Sequence, residues 1–217
     1  MWEPIIISIK TAFVATIIVL IIGVICALIS VNKEFKGKVA FETIMTMPLV
    51  IPPSITGYVL LVLLGKNGPI GKAIFELTGH RIIFTWGAAV IAAVVVSLPL
   101  MYQSIRASFL SVEKAYFEAA KLVGANNRQC FFHVMLPLSF RGILAGTVLS
   151  FCRAMGEFGA TLMVAGNIPG KTQTIPIGVY FAVEAGDWNK ANLLLAVVVI
   201  FSFGAIYTID YFNKKVK

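Results

Sequence analysis

The residues with the clearest chemical potential are two charges in apolar surroundings. Arg153 and Glu157 are the only charged residues between Gly142 and Gly166. Their i,i+4 spacing lets them face each other on a helix. At membrane depth such charges are expensive and turn toward a bundle interior or an aqueous path. Two uses follow: a pair that locks helices together, or a pair that lines a route. A net anion can meet Arg153 only where Glu157 does not neutralise it.

Hydrolytic, redox and metal chemistry find no comparable set. Cys26, Cys130 and Cys152 are far apart and match no metal spacing, and His80 and His133 share no cluster with acids. Cys26 and Cys152 lie in apolar runs and read as small hydrophobes. Gly170-Lys171-Thr172 has the closing letters of a phosphate loop, but Gly166 stands at the wrong distance upstream. A chain without a nucleotide loop cannot power work by itself, so a partner must.

The second distinctive stretch is Ser111–Pro137, polar and amphipathic between apolar runs. Ser111 is expected to cap a helix, with Glu113 in its first turn. Val112, Ala115, Tyr116, Ala119 and Val123 recur at helical spacing as one apolar stripe. Lys114, Glu118, Lys121 and Arg128 fall opposite, with Lys114–Glu118 and Glu118–Lys121 spaced for contact. Gly124 breaks the helix and Asn126-Asn127 extend the turn. Ala119 and Ala120 beside Glu118, with Gly124 a turn later, would let another protein approach closely. A plain surface helix tying two spans together is the alternative.

The elements that must position these residues are membrane spans. Of 217 residues, 59% are hydrophobic and only 13% charged, with mean hydropathy +0.90. Soluble domains carry about a quarter charged residues. The net charge of +8 is dispersed in breaks between apolar runs, unlike the basic face of a nucleic-acid binder. A crossing helix needs roughly 20 apolar residues. Thr11–Asn32, Thr43–Gly65, Ile82–Ile105, Gly142–Gly166 around the charged pair, and Ala191–Ile209 supply five. Pro48, Pro52 and Pro53 should kink or break the second, and Pro99 should bend the third. Trp86 and Tyr102 are placed as interfacial anchors. Lys66–Arg81 reads as a polar loop. Thr172–Val183, with Pro176 and Gly178 inside, is too short to span and reads as interfacial or re-entrant, within a loop over residues 167–190. The apolar start lacks a basic leader and cleavage site, so it reads as a retained span.

Five spans place Lys33, Lys36, Lys38, Arg106, Lys114, Lys121, Arg128, Arg141, Lys214, Lys215 and Lys217 on one side, and Lys66, Lys72, Arg81, Lys171 and Lys190 on the other. The positive-inside rule makes the first side cytoplasmic, with the N-terminus outside and the C-terminus inside.

A family resemblance now enters. Glu118-Ala119-Ala120, Gly124, Val134 and Leu136-Pro137 resemble the EAA motif of ABC-importer membrane subunits, departing only at Val134, where isoleucine is more usual. The resemblance implies that residues 111–137 form a cytoplasmic coupling loop, with Glu118, Ala119, Ala120, Gly124 and Pro137 at the seat of an ATP-binding subunit. Arg153–Ala185, together with Pro48–Pro53 and Gly57-Tyr58, resembles the molybdate permeases of that family. Gly156–Gly159 and the IPGKT stretch are shared with sulfate and tungstate permeases, whereas Thr172–Pro176 leans toward molybdate.

The resemblance implies an all-α, polytopic type I importer domain (MetI-like) over residues 1–217, with five transmembrane helices and a coupling helix. It further implies a homodimer in the cell membrane, two copies of an ATP-binding subunit that holds ATP and magnesium, and an extracytoplasmic molybdate-binding protein. No cofactor, catalytic residue or nucleic-acid partner is expected of this chain. A doubly charged tetrahedral oxyanion needs hydrogen-bond donors more than fixed charge, because tight binding slows release. Thr56, Thr161, Asn167, Thr172, Gln173 and Thr174 are candidate donors along the route, beside Arg153 and Glu157; most could equally be packing or turn residues.

Overall fold

The computed structural model describes residues 2–214, with side chains described as far as Tyr207. The regular structure among these residues is helical. Three helices are each long and apolar enough to cross a membrane: α1 (Glu3–Asn32), α5 (Trp86–Leu110) and α12 (Trp188–Lys214, apolar over Trp188–Tyr207). Two bent pairs bring the number to five if each counts as one span. These are Lys38–Leu49 with Pro53–Leu64, bent by 113°, and Asn127–Leu138 with Phe140–Met155, bent by 67°.

The first bend lies where the prolines required it. Helix α2 (Lys38–Thr46) ends in a 3₁₀ turn, Met47–Leu49, and α3 (Pro53–Leu64) restarts with Pro53 in its first turn, where the missing N–H is harmless. The polar loop expected over Lys66–Arg81 instead contains α4 (Pro69–Thr78). Its Ile70, Ile74 and Leu77 already show helical spacing behind a helix-starting proline.

Helix α5 is the centre. Sixty-one per cent of its apolar window is buried, against 11% for α12. Ala88, Ala89, Ala92, Ala93 and Ser97 are all buried. Small residues let backbones approach where no hydrophobic effect separates helix from lipid. On one side α5 joins α3 and α10 (Gly159–Ala165) through Leu60, Leu64, Val96, Ala160 and Val164. On another it joins α1 and α9 (Phe140–Met155) through Ala12, Ala15, Ala93 and Ala154. Toward its C-terminal end Met101, Tyr102, Ile105 and Phe109 meet Val19, Ala27, Met135 and Ile143. Helix α5 is one unbroken helix through Pro99, and it extends five residues past the end expected at Ile105, to Leu110.

Tyr102 is not an interfacial anchor. It is 1% exposed, and its hydroxyl donates to Ser30 Oγ at 3.0 Å. Trp86, at the other end, donates from Nε1 to Thr11 Oγ1 at 2.9 Å. The fourth expected span is divided: α9 stops at Met155, Gly156–Phe158 are non-helical, and α10 follows. The short segment near Thr172–Val183 is α11 (Ile175–Glu184), whose Ile175, Ile177, Gly178 and Ala182 are buried. Lys215 and Lys217, counted in the charge asymmetry, lie outside the described residues, as does the side chain of Lys214.

Candidate functional site

At the helix break, Arg153 and Glu157 do meet, but not on one helix. Arg153 closes the last turn of α9, and Glu157 lies beyond it. Arg153 Nη1 donates to Glu157 Oε2 at 2.7 Å, and the Ala160 amide donates to Glu157 Oε1 at 2.7 Å. One carboxylate therefore ties the end of α9 to the positive start of α10. The Glu157 side chain is 1% exposed, that of Arg153 28%. This geometry satisfies the buried acid with a cation and a backbone donor, as a charge in an apolar interior requires. The sequence spacing was right for the pairing; Gly156 is the signal that the helix does not continue.

Thr56 and Thr161 are buried beside this junction on α3 and α10. Thr56 Oγ1 donates back to Pro52 O at 3.4 Å. The two helices approach closely because position 57 is glycine: a Cβ there would lie 2.7 Å from Ala160 Cα.

Asn167, Thr172, Gln173 and Thr174 are brought together in the turn between α10 and α11. Ile168 O accepts from the amides of Lys171, Thr172 and Gln173 at 3.0, 2.9 and 3.2 Å. Thr172 Oγ1 accepts from Ile168 N at 3.1 Å and donates to Gly166 O at 3.3 Å, and Gln173 Nε2 donates to Asn167 Oδ1 at 2.8 Å. Pro169, Gly170 and Lys171 form the exposed tip, whereas Thr172, Gln173 and Thr174 are buried. The turn is anchored to α1, where Ser8 Oγ accepts from Ile175 N at 2.7 Å. Thr174 holds the N-cap position of α11 without making a cap bond. Among the described residues its buried Oγ1 has no partner. Unpaired buried hydroxyls are uncommon.

The third region is at the opposite end of α5. Helix α6 spans Lys114–Leu122 with Glu113 at its N-cap position. Ser111 does not cap it; its hydroxyl donates to Ser108 O, finishing α5. None of α6 is buried. Phe117 packs against the core, while the expected stripe faces away, with Tyr116 52% and Val123 86% exposed. Glu118 and Ala119 are exposed. Among the described residues, no ion pair joins Glu118 to Lys114 or Lys121.

Gly124 has φ +87°, a conformation costly for other residues. Its amide donates to Lys121 O at 2.9 Å and that of Ala125 to Ala120 O at 3.0 Å, the two bonds of a Schellman end. Asn126 and Gln129 then exchange side-chain and backbone bonds at 2.9 and 2.8 Å, a capping box that opens α7 (Asn127–Cys130) rather than extending the turn. A π turn, Phe131–Met135, leads to the short α8 (Leu136–Leu138). Ala120, Val123, Gly124, Ala125, Gln129, His133 and Val134 line a cavity of about 300 Å³. Pro137 lies outside that lining and is exposed.

A polytopic helical bundle with an uncovered helix at one end and buried hydrogen-bonding turns at the other is the architecture of a membrane permease. The chain belongs to the binding-protein-dependent transport system inner membrane component family, whose model matches residues 8–217. It is 42% identical over 209 residues to YvgM of Bacillus subtilis (strain 168), covering 96% of this chain and 92% of that protein. It is 37% identical over 199 residues to the molybdenum transport system permease protein ModB of Escherichia coli (strain K12), covering 92% and 87%. The fold matches an inward-facing structure of the MetNI methionine ABC transporter with TM-score 0.69, covering 100% of this chain and 94% of that one, at 16% identity. The protein is thus a multi-pass transport subunit of the MetI-like fold, not an enzyme.

Proposed function

We propose that this chain is the membrane-spanning subunit of an ABC importer that carries molybdate into the cell, with ATP and magnesium bound on a partner. The observation carrying the coupling half of this reading is α6, whose apolar face is left uncovered among the described residues. Tyr116, Ala119 and Val123 present it outward, Glu118 is also exposed, and Gly124 fixes the angle at which the chain leaves the helix. Residues 111–137 are the coupling loop, and Ala120 and Gly124 border a recess that a partner side chain can fill. Pro137 contributes through the turn before α9. Two copies of the chain and two ATP-binding subunits make the complex, fed by an extracytoplasmic molybdate-binding protein. The N-terminus and residues 167–190 face outward, and α6 and the C-terminus face the cytoplasm, in accord with the dispersal of lysine and arginine.

The substrate half rests on the names of the relatives and on the Thr172–Pro176 stretch. Thr161, Asn167, Gln173 and Thr174 offer donors without fixed charge, Thr56 and Thr172 can join them only by releasing the bonds to Pro52 O and Gly166 O, and Glu157 neutralises Arg153 so that the cation does not trap a dianion. Thr174 Oγ1, buried and unpaired among the described residues, is the donor that no internal acceptor competes for once the route opens to it. ATP-driven closure of the partners moves α6, and the rigid spans alternate the side to which the route opens.

ATP hydrolysis by the reconstituted complex tests both halves. The binding protein loaded with molybdate should stimulate it, and Val123→Asp should abolish stimulation while leaving the fold of this chain intact. Stimulation by sulfate alone would overturn the substrate and favour the sulfate reading of the shared Gly156–Gly159 and IPGKT features. Full coupling in Val123→Asp would overturn the docking surface.

A further inference from the structure

A polar cluster distant from both the route and α6 joins α1, α2 and α5. Ser30 Oγ donates to Glu42 and accepts from Tyr102 OH at 3.0 Å and from Arg106 Nε at 3.1 Å. Arg106 Nη2 donates to Glu42 Oε1 at 3.0 Å. Beside this knot, one face of α2 (Val39, Glu42, Thr43, Thr46) and one face of α5 (Tyr102, Gln103, Arg106, Ala107) enclose a cavity of about 420 Å³. That is within the range of small-ligand sites, about 300–1,000 Å³.

The cavity lies where three uncharged runs end together. Arg106 is the first charge after Ile82–Ile105, Lys33 the first after Thr11–Asn32, and Glu42 the last before Thr43–Gly65. Helix α2 has no buried residue: Ile44 is 61% exposed, Val39 at the cavity mouth 79%, and Met47 in the turn that follows the helix 51%. An amphipathic helix of this kind at a span boundary lies among lipid headgroups. Charge points the same way. Glu42 is cancelled by Arg106, and Glu34 by Lys38 at 2.7 Å, leaving exposed Lys33 and Lys36 as excess positive charge. The hydrogen bonds of Arg106 run from Nε and Nη2; among the described residues Nη1 has no partner, on a guanidinium already held in place. Gln103 adds an amide on the same wall.

We propose that this cavity binds the phosphate group of an anionic phospholipid, with Arg106 Nη1 and Gln103 as donors and Lys33 and Lys36 at the rim. The free nitrogen meets a phosphate oxygen, a charge-assisted bond of the strong kind. The acyl chains run along the outward apolar side of α2. The cavity wall itself is neutral, Arg106 against Glu42, and the excess positive charge that favours an anionic headgroup comes from Lys33 and Lys36 between α1 and α2. The bound lipid clamps α2 to α5 close to where α5 leads into α6.

Native mass spectrometry of the full chain in detergent, titrated with phosphatidylglycerol, phosphatidylcholine or inorganic phosphate, tests the assignment. Phosphatidylglycerol should bind about tenfold more tightly than phosphatidylcholine, because the two share the phosphate but choline's cation is repelled by Lys33 and Lys36. Arg106→Gln with Glu42→Gln, which leaves net charge unchanged, should weaken the binding of both lipids about tenfold, since both present the same phosphate. The same exchange at the exposed Lys72–Glu76 pair of α4 should leave it intact. Lys33→Gln with Lys36→Gln, on the surface and harmless to folding, should weaken phosphatidylglycerol more than about tenfold, since each basic residue near an anionic surface is worth about fivefold. Equal affinity for the two lipids, or binding that is unchanged in both site variants, would overturn the proposal. Displacement of the lipid by low-millimolar inorganic phosphate would overturn the lipid assignment in favour of a free anion.

Discussion

The junction between α9 and α10 makes a quantitative prediction, because its two charges are buried unequally. Replacing Arg153 with Gln leaves the Glu157 carboxylate, 1% exposed, with only the Ala160 amide as partner. Breaking a buried pair this way costs about 3–5 kcal/mol. Replacing Glu157 with Gln leaves a guanidinium that is 28% exposed and can turn toward a polar boundary, while the glutamine carbonyl still accepts from Ala160. The loss is then that of a charge-assisted bond, about 2 kcal/mol. With both replaced no charge is stranded, and the loss falls to about 1 kcal/mol, so the coupling between the sites is large, as for residues in contact. At about 2–4 °C per kcal/mol for a chain of this size, Arg153→Gln should melt about 10 °C below the parent and Glu157→Gln about 6 °C below. The double variant should melt above both. Thermal unfolding of the purified chain in one detergent gives the order directly. A double variant less stable than either single, or Glu157→Gln falling furthest, would refute the account of the carboxylate as an acid satisfied by Arg153.

Three further outcomes follow from other parts of the structure. Gly57→Ala puts a methyl 2.7 Å from Ala160 Cα, and the overpacking should cost about 1–3 kcal/mol, read as a lowered melting temperature. At Gly124 a Cβ meets nothing within 4 Å, so Gly124→Ala should be felt through the positive φ alone. It should cost about 1 kcal/mol, with Gly124→Asn milder, and ATPase coupling should fall in the same order. Thr174→Val removes the unpartnered hydroxyl at nearly constant volume, so thermal stability should be unchanged or raised by about 1 kcal/mol. Oxyanion uptake should nevertheless fall, a division that a purely structural role for Thr174 does not give.

What was legible in the sequence was whatever composition and local spacing control. The uncharged runs located the spans because a bilayer tolerates little else, and Pro48, Pro52 and Pro53 located the bend of 113° because proline cannot complete the helix ladder. Arg153 and Glu157 were paired correctly from spacing, yet the end of α9 between them was missed. Its cause is Glu157 itself, whose carboxylate rewards a new helix start at Ala160, a gain invisible to periodicity. Tyr102 was misplaced, and the inward side of α6 at Phe117 was missed, for one reason. Which way an amphipathic face points depends on what the rest of the fold offers, and here the core accepts Phe117 and Tyr102 while Tyr116 and Val123 are left outside. Ser111 was taken for a helix start, but the preceding helix overran its apolar stretch and claimed it. The clustering of Asn167, Thr172, Gln173 and Thr174 was readable only as proximity in sequence; the anchoring of their turn through Ser8, far away in the chain, was not.

Helix α5, enclosed on several sides and leading through Ser111–Glu113 into α6, has a mechanical consequence. Its 25 residues form a rod about 37 Å long, at 1.5 Å per residue. Three links hold α1 and α2 to the rod: Trp86 to Thr11 at one end, Tyr102 and Arg106 to Ser30 near the other, and Arg106 to Glu42 beside it. A force on α6 therefore reaches a connecting rod, not a loose strand of chain. A tilt of about 5° about the end bearing α6 sweeps the Trp86 end through about 3 Å, given that length. The turn over 166–174 is fastened through Ser8 to the same α1 that Trp86 grips, so a small stroke at one face of the bundle becomes an ångström-scale displacement at the other.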